Sequence, residues 1–322
     1  MRALIYLAIA LATTASHGAM AAYPERPITF IVPLAPGSGA DSSTRLIAEL
    51  VSKDLNVPVI VENKPGADSA IGIRHMLSSP PDGYTTMFTT QSAVVLNPML
   101  KDGLSYNAKT DIIPLAITTV GLPGYAVRSD SPYHSIQDLL AHARENPGAV
   151  SLASYGGETY GLLNRMLQHY GQVEFNTVNY NSPATAMNDL IGGNVKVSSY
   201  DLAAAKELVA SGQVRFLGTA SAKRLDRYPD VPTLIEQGLP GLEYIIWGGY
   251  VVRSGTPEDR LEILSNAIVR ALGSNEFKEY NDSRGAAPPL AYAHRQAAQF
   301  VEQEWQRFHP LMKEMGLNPR NP

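Results

Sequence analysis

Apolar positions in this chain alternate between two rhythms. "ITFIVPL" (28–34) is a short apolar run of the kind a buried strand makes. The segment after it, 42–55, sets Leu46, Ile47, Leu50, Val51 and Leu55 at helical spacing. In "VPVIVEN" (57–63), Val57, Val59 and Val61 alternate, and Pro58 marks an edge strand or a strand start. A short helix over 69–79, a turn at "PPDGY" (80–84) and a strand over 85–90 follow. The middle of the chain repeats the theme. Strands are predicted at 124–130, 149–156, 175–180, 195–201 and 214–220, and helices at 135–148, 159–171, 182–193 and 202–212. Ser135 is a good N-cap, and the glycines at 192–193 a good C-terminal stop. Residues 229–241 are rich in Pro and Gly and read as a surface connection with one helical turn. An apolar run at 244–252, an amphipathic helix over 257–274 starting at Pro257, and a last helix within 293–316 complete the pattern. Alternating strands and helices predict an α/β protein with parallel, doubly wound sheets and right-handed crossovers. The elements divide into two lobes of similar size.

Composition narrows the picture. The 322 residues carry 26 Lys and Arg against 30 Asp and Glu, a formal charge of −4, and no basic run. Nucleic acid is therefore a poor partner. There is no cysteine, so disulfides, thiolate chemistry and a lipid-modified N-terminal cysteine are all excluded. The first 22 residues read as a signal peptide: Arg2, an apolar stretch from Ala3 to Ala12, then small residues at Ala19 and Ala21. That stretch is about ten residues long, short of the ~20 needed to span a bilayer. Cleavage is expected after Ala21 or Ala22. Export without an anchor predicts the periplasm of a Gram-negative cell.

Two turns carry the candidate chemistry. "PLAPGSGADSS" (33–43) leaves a strand and enters a helix, with Asp41, Ser42 and Ser43 where the N-cap and first turn are expected. Unpaired N–H groups at a helix start, together with the helix dipole, attract anions. Gly37 and Gly39 allow close approach. "SYGGETYGLL" (154–163) repeats the arrangement in the second lobe. Two such turns facing each other across a cleft suit a ligand with acidic groups at one or both ends. Nucleotide readings fail, because Gly37-Ser38-Gly39 lacks the third glycine of a dinucleotide fingerprint and no G-K-[ST] occurs. There is no G-x-S-x-G elbow. His75, His134, His142, His169, His294 and His309 are scattered and form no H-E-x-x-H. Neither a catalytic site, a cofactor nor a metal is expected, and Asp41 is more easily a helix cap than an acid.

The runs "YPERPITFIVPLAPGSGADSSTRLIAEL", "VIVENKPGADSAIGI" and "PPDGYTTMF", with later blocks at 178–195, 219–243 and 253–264, resemble the Bug/TctC family of periplasmic solute-binding proteins. These are receptors of tripartite tricarboxylate transporters. The resemblance extends from Tyr23 almost to the C-terminus. It implies a two-lobed periplasmic binding protein (a Venus flytrap), each lobe a doubly wound sheet flanked by helices, joined by two interlobe crossovers. Lobe 1 would be 23–123 plus 247–322, and lobe 2 would be 124–246. The implied ligand is a small organic carboxylate. Its contacts would come from Gly37, Ser38, Gly39, Ala40 and Asp41 in lobe 1 and from Tyr155, Gly156, Gly157, Glu158 and Thr159 in lobe 2. Gly66, Ala67, Gln91, Ser92, Tyr180 and Asp201 would add to them. The implied partners are the membrane subunits of a transporter, or a sensor histidine kinase presented with the same closed form. The protein is expected to be a monomer. A periplasmic enzyme using Asp41 or Glu158 is the remote alternative.

The sequence departs from the family pattern at Leu34 (often Phe), at Ser38 in a Gly-Gly pair, at Glu158 in place of a glycine, and at Leu162 (often His). Either Glu158 points away from the cleft, or the ligand is not a plain di- or tricarboxylate. The second branch predicts a monoanion, or a ligand with an amino, amide or aromatic end near Glu158. Tyr155, Tyr160 and Tyr180 would either stack on such a ligand or pack in the core.

Overall fold

The computed structural model describes residues 23–320, so the signal-peptide reading lies outside the described residues. Two sheets divide the chain. The first contains β1 (Ile28–Val32), β2 (Val59–Asn63), β3 (Thr85–Thr90), β4 (Ile112–Gly121), β10 (Ile246–Arg253) and β11 (Tyr292–Ala293), in the order β11-β4-β10-β3-β1-β2. The second contains β5 (Pro123–Arg128), β6 (Ser151–Ser154), β7 (Asn176–Asn179), β8 (Val197–Asp201) and β9 (Val214–Thr219), in the order β7-β6-β8-β5-β9. β2 forms an edge, where the missing N–H of Pro58 costs nothing.

The sheets are mixed, not parallel as the alternation implied. β1 runs parallel to β2 and β3, and β6 parallel to β7 and β8. β10 is antiparallel to both β3 and β4, and β5 is antiparallel to both β8 and β9. The reason lies in the passage between sheets. Only Leu122 separates β4 from β5, so the chain enters the second sheet with no crossover helix to turn it. The return passage enters β10 directly beside the outgoing one, with Ile246 opposite Gly121.

The helices are α1 (Gly39–Leu55), α2 (Ala70–Ser78), α3 (Asn97–Leu100), α4 (Ile136–Glu145), α5 (Glu158–Gly171), α6 (Pro183–Gly192), α7 (Lys206–Ala210), α8 (Glu258–Gly273), α9 (Asn275–Ser283) and α10 (His294–Glu314). A π-helical segment, Ser92–Leu96, leads into α3. α7 is far shorter than the helix expected over 202–212. Asp201 is the cause: its Oδ1 accepts the Ala204 N–H at 3.0 Å and holds the first four residues in a turn. β4 and α9 had no clear periodic signal. Pro114 interrupts β4, and α9 buries only Phe277.

α1 and α8 cover one face of the first sheet, where Phe30, Ile47, Val51, Tyr250, Leu264 and Ile268 are buried together. The core on the other face continues from the first sheet into the second. Met87 and Val95, Tyr244 and Trp247, Phe308 of α10, and Tyr125 and Leu163 of the second lobe belong to one cluster. α10 thus wedges the hinge side of the molecule.

Candidate functional site

α1 begins where β1 ends, because Pro33-Leu34-Ala35-Pro36 cannot continue the strand and Gly37 takes a positive φ of 81°. Ser38, not Asp41, is the N-cap: its hydroxyl accepts the Asp41 N–H at 3.2 Å. Asp41 sits one turn in and reaches back. Its carboxylate accepts the Gly37 N–H at 2.8 Å and the Asn63 Nδ2 at 2.8 Å, and Arg45 Nη2 lies 3.0 Å away. Arg45, the burial of Asp41 and these donors together leave its pKa lowered to about 2, with the Arg45 hydrogen bond the largest cause. Asp41 is therefore a structural anion that fixes the turn, and every donor it uses is lost to a ligand. The N–H groups of Gly39 and Ala40 remain, since the first residues of a helix have no acceptor within it. A Cβ at Gly37 or Gly39 would meet nothing within 4 Å, so the backbone here faces open space. Leu34 and Ile71, two of the few exposed large apolar side chains, flank this turn and the loop at Gly66.

In the second lobe, β6 ends at Ser154, and two positive-φ glycines, Gly156 (70°) and Gly157 (61°), swing the chain into α5. Gly157 is the N-cap and offers no side chain to the helix. The carboxylate of Glu158 does not occupy the helix start. It runs along α5 to pair with Arg165, passing over Gly161, whose added Cβ would lie 3.5 Å from both groups. Of the two alternatives posed by the sequence, this arrangement is the one in which Glu158 points away from the turn. The N–H groups of the first turn have no acceptor within the helix, and the carboxylate beside the N-cap is that of Asp68 in lobe 1.

The loop after β2 brings lobe 1 to the second turn. Asp68 of lobe 1 approaches Gly157 of lobe 2, so closely that a Cβ on Gly157 would lie 3.2 Å from Asp68 Oδ2. Gly66 and Ala67 lead into that contact with φ of 122° and 48°. Ser92 is buried below it, with its hydroxyl 3.5 Å from Asp68 Oδ2 and 3.3 Å from Asn97 Oδ1. Asp68, Ser92 and Gly157 thus come together where the lobes meet, and the turn at Gly37 to Asp41 is tied to the end of β2 through Asn63, which donates to Leu34 and Asp41.

The remaining expected contacts lie elsewhere. Gln91 is fully buried toward the hinge. Its Nε2 donates to Glu304 at 2.7 Å, and its Oε1 accepts from Tyr244 at 3.1 Å. The Tyr244 hydroxyl also lies 2.8 Å from the Thr159 carbonyl, tying the passage between lobes to α5. Asp201 Oδ2 accepts the N–H of Leu122 at 2.7 Å, a hinge contact. Burial pushes its pKa up despite these backbone donors. Tyr180 donates to Asp189 at 2.6 Å on α6. Tyr155 packs on Tyr160 with centroids 4.4 Å apart and on Tyr200 at 5.3 Å, so these rings serve the core of lobe 2. Sequence reasoning missed Asp68, Asn97 and Lys101, and the hinge acceptor Glu304, which also takes the Trp247 indole N–H at 2.9 Å. Only the acidic residue at 68, inside a glycine-flanked turn, could have signalled the first group.

Among the described residues no cluster of three metal-ligating side chains occurs, and no helix is long and apolar enough to cross a membrane. Residues 43–317 match the model of the tripartite tricarboxylate transporter family receptor. The chain belongs to this receptor family. It is 30% identical over 319 residues to the protein BugT of Bordetella pertussis, covering 98% of this chain and 97% of that one. It superposes on Rpa4515 of Rhodopseudomonas palustris, solved with adipate, with a TM-score of 0.81, 27% identity and coverage of 92% and 100%. MatC from the same organism, solved with bound malate, gives a TM-score of 0.78, 26% identity and coverage of 90% and 99%. The family is one of solute-binding receptors rather than enzymes.

Proposed function

We propose that this receptor, exported to the periplasm by residues 1–22, captures a small organic carboxylate between lobe 1 (23–123 plus 247–322) and lobe 2 (124–246). The closed form then delivers the ligand to the membrane subunits of a tripartite transporter. The observation that carries this reading is the free start of α1. The N–H groups of Gly39 and Ala40 have no acceptor within the helix and a Cβ on Gly39 meets nothing within 4 Å, while Asp41 is fully engaged with Gly37, Asn63 and Arg45. A carboxylate set there gains two charge-assisted hydrogen bonds and the helix dipole. Leu34 and Ile71 offer apolar contact to the carbon chain that follows. The adipate and malate of the related structures are carboxylates of this size class. No chemistry is assigned: the site pairs no base with a nucleophile.

Binding stabilises the folded state by mass action, by about 2.7 kcal/mol at a ligand concentration one hundred times Kd. Native mass spectrometry of protein purified without unfolding, followed by thermal shift with a panel of mono- and dicarboxylates, tests the reading. At least one small carboxylate should raise Tm in a concentration-dependent way. If no carboxylate raises Tm and no anionic solute co-purifies, the reading fails.

A further inference from the structure

Ala67, Asp68 and Ser69 are three consecutive non-glycine residues in the left-handed region, with φ of 48°, 49° and 75°. L-residues resist this conformation, and such strain persists only where surrounding contacts impose it. Here those contacts converge on Asp68. Its Oδ2 accepts from Asn97 Nδ2 at 2.8 Å and from Lys101 Nζ at 2.9 Å, with Ser92 Oγ at 3.5 Å. All three donors belong to lobe 1. Oδ1 accepts no hydrogen bond from any described residue, and the whole carboxylate faces lobe 2: a Cβ on Gly157 would lie 3.2 Å from Oδ2 and 3.7 Å from Oδ1. Lobe 1 therefore holds a carboxylate by one oxygen beside the N-cap of α5 and leaves the other oxygen unpaired.

We propose that Asp68 is a specificity-determining residue that rejects a second carboxylate and selects a hydrogen-bond donor, an ammonium or amide, at the far end of the ligand. The proposal rests on the reading above, in which α1 takes the ligand's carboxylate. A ligand reaching from α1 toward α5 meets this carboxylate beside the α5 start, with its Oδ1 unpaired. An ammonium or amide N–H satisfies that oxygen. A carboxylate there would leave two acceptors facing each other with no proton between them.

The test is isothermal titration at neutral pH with matched ligand sets of four and six carbons: butyrate, 4-aminobutyrate and succinate; hexanoate, 6-aminohexanoate and adipate. Wild type is expected to bind the amino acid of a set at least tenfold tighter than the dicarboxylate. Asp68→Asn keeps the shape, tolerates positive φ, removes the charge and frees Lys101. It should shift the ratio at least tenfold toward the dicarboxylate. Asp68→Gly, which relieves the backbone strain, should shift it the same way and guards against a folding defect in the first variant. If both variants keep the wild-type ratio, or wild type prefers the dicarboxylate, the assignment of Asp68 is overturned and the carboxylate reading stands. If no member binds wild type or either variant, the carboxylate reading itself falls and takes this proposal with it.

Discussion

Glu158 and Arg165 are ion-paired along α5, seven residues apart, and this pairing keeps the acidic side chain off the helix start it would otherwise occupy. The pair is partly buried, with about a quarter of the Glu158 side chain and a third of the Arg165 side chain exposed. Glu158→Gln should therefore cost at most about 1 kcal/mol, from a lost ion pair and a lost first-turn charge. It should change ligand affinity less than threefold. Denaturant unfolding and ligand titration of the same sample check both. A large loss of affinity would mean that Glu158 turns into the cleft on binding.

Asp41 makes folding stability depend on acid. Its folded pKa of about 2 lies below the ordinary 3.8, so its contribution is fully present above pH 4 and is lost as pH falls from about 4 to 2. The shift would be worth about 2 kcal/mol unscreened. Arg45 is half exposed, and solvent screening brings the expectation to about 1 kcal/mol. Unfolding curves between pH 2 and 5 should show this slope in wild type and a shallower one in Asp41→Asn.

The hinge acceptor is costly to remove. Glu304 is buried and takes hydrogen bonds from Gln91 and the Trp247 indole. Glu304→Ala strands both donors and should cost about 3 kcal/mol, whereas Glu304→Gln keeps one acceptor oxygen and should cost about 1 kcal/mol. Chemical denaturation gives the two values. Equal losses would show that the donors find other partners.

Gly39 separates stability from binding. Its backbone is free of positive φ and a Cβ there has open space, so Gly39→Ala should leave Tm unchanged or raise it, by up to about 1 kcal/mol in stability. The same methyl stands over the proposed carboxylate position. Affinity should fall at least tenfold, measured by calorimetry with whichever carboxylate gives the largest thermal shift.

Most of the element order and both glycine turns were legible in the sequence because their signals are local: a short apolar run, a turn residue, a helix cap. The antiparallel strands were not, since direction depends on how the chain passes between sheets at Leu122. Gln91, Tyr244, Trp247 and Glu304 meet across separations of 57 to 213 residues, and nothing in their immediate neighbourhoods announces the meeting. Gln91 and Asp201 were assigned to the ligand from family position; the structure gives both partners within the protein, Gln91 with Glu304 and Tyr244, Asp201 with Leu122 and Ala204. Asp68 stayed hidden for another reason. Three successive left-handed residues without glycine have no sequence signature, because tertiary contacts impose the conformation.

The passage at Leu122 also limits how the protein can move. Outgoing and returning strands lie side by side, laddered together up to the pair Gly121 and Ile246. One residue of chain reaches at most about 3.6 Å, so with Leu122 alone between β4 and β5 the two sheets are free to turn about this point and not to slide apart.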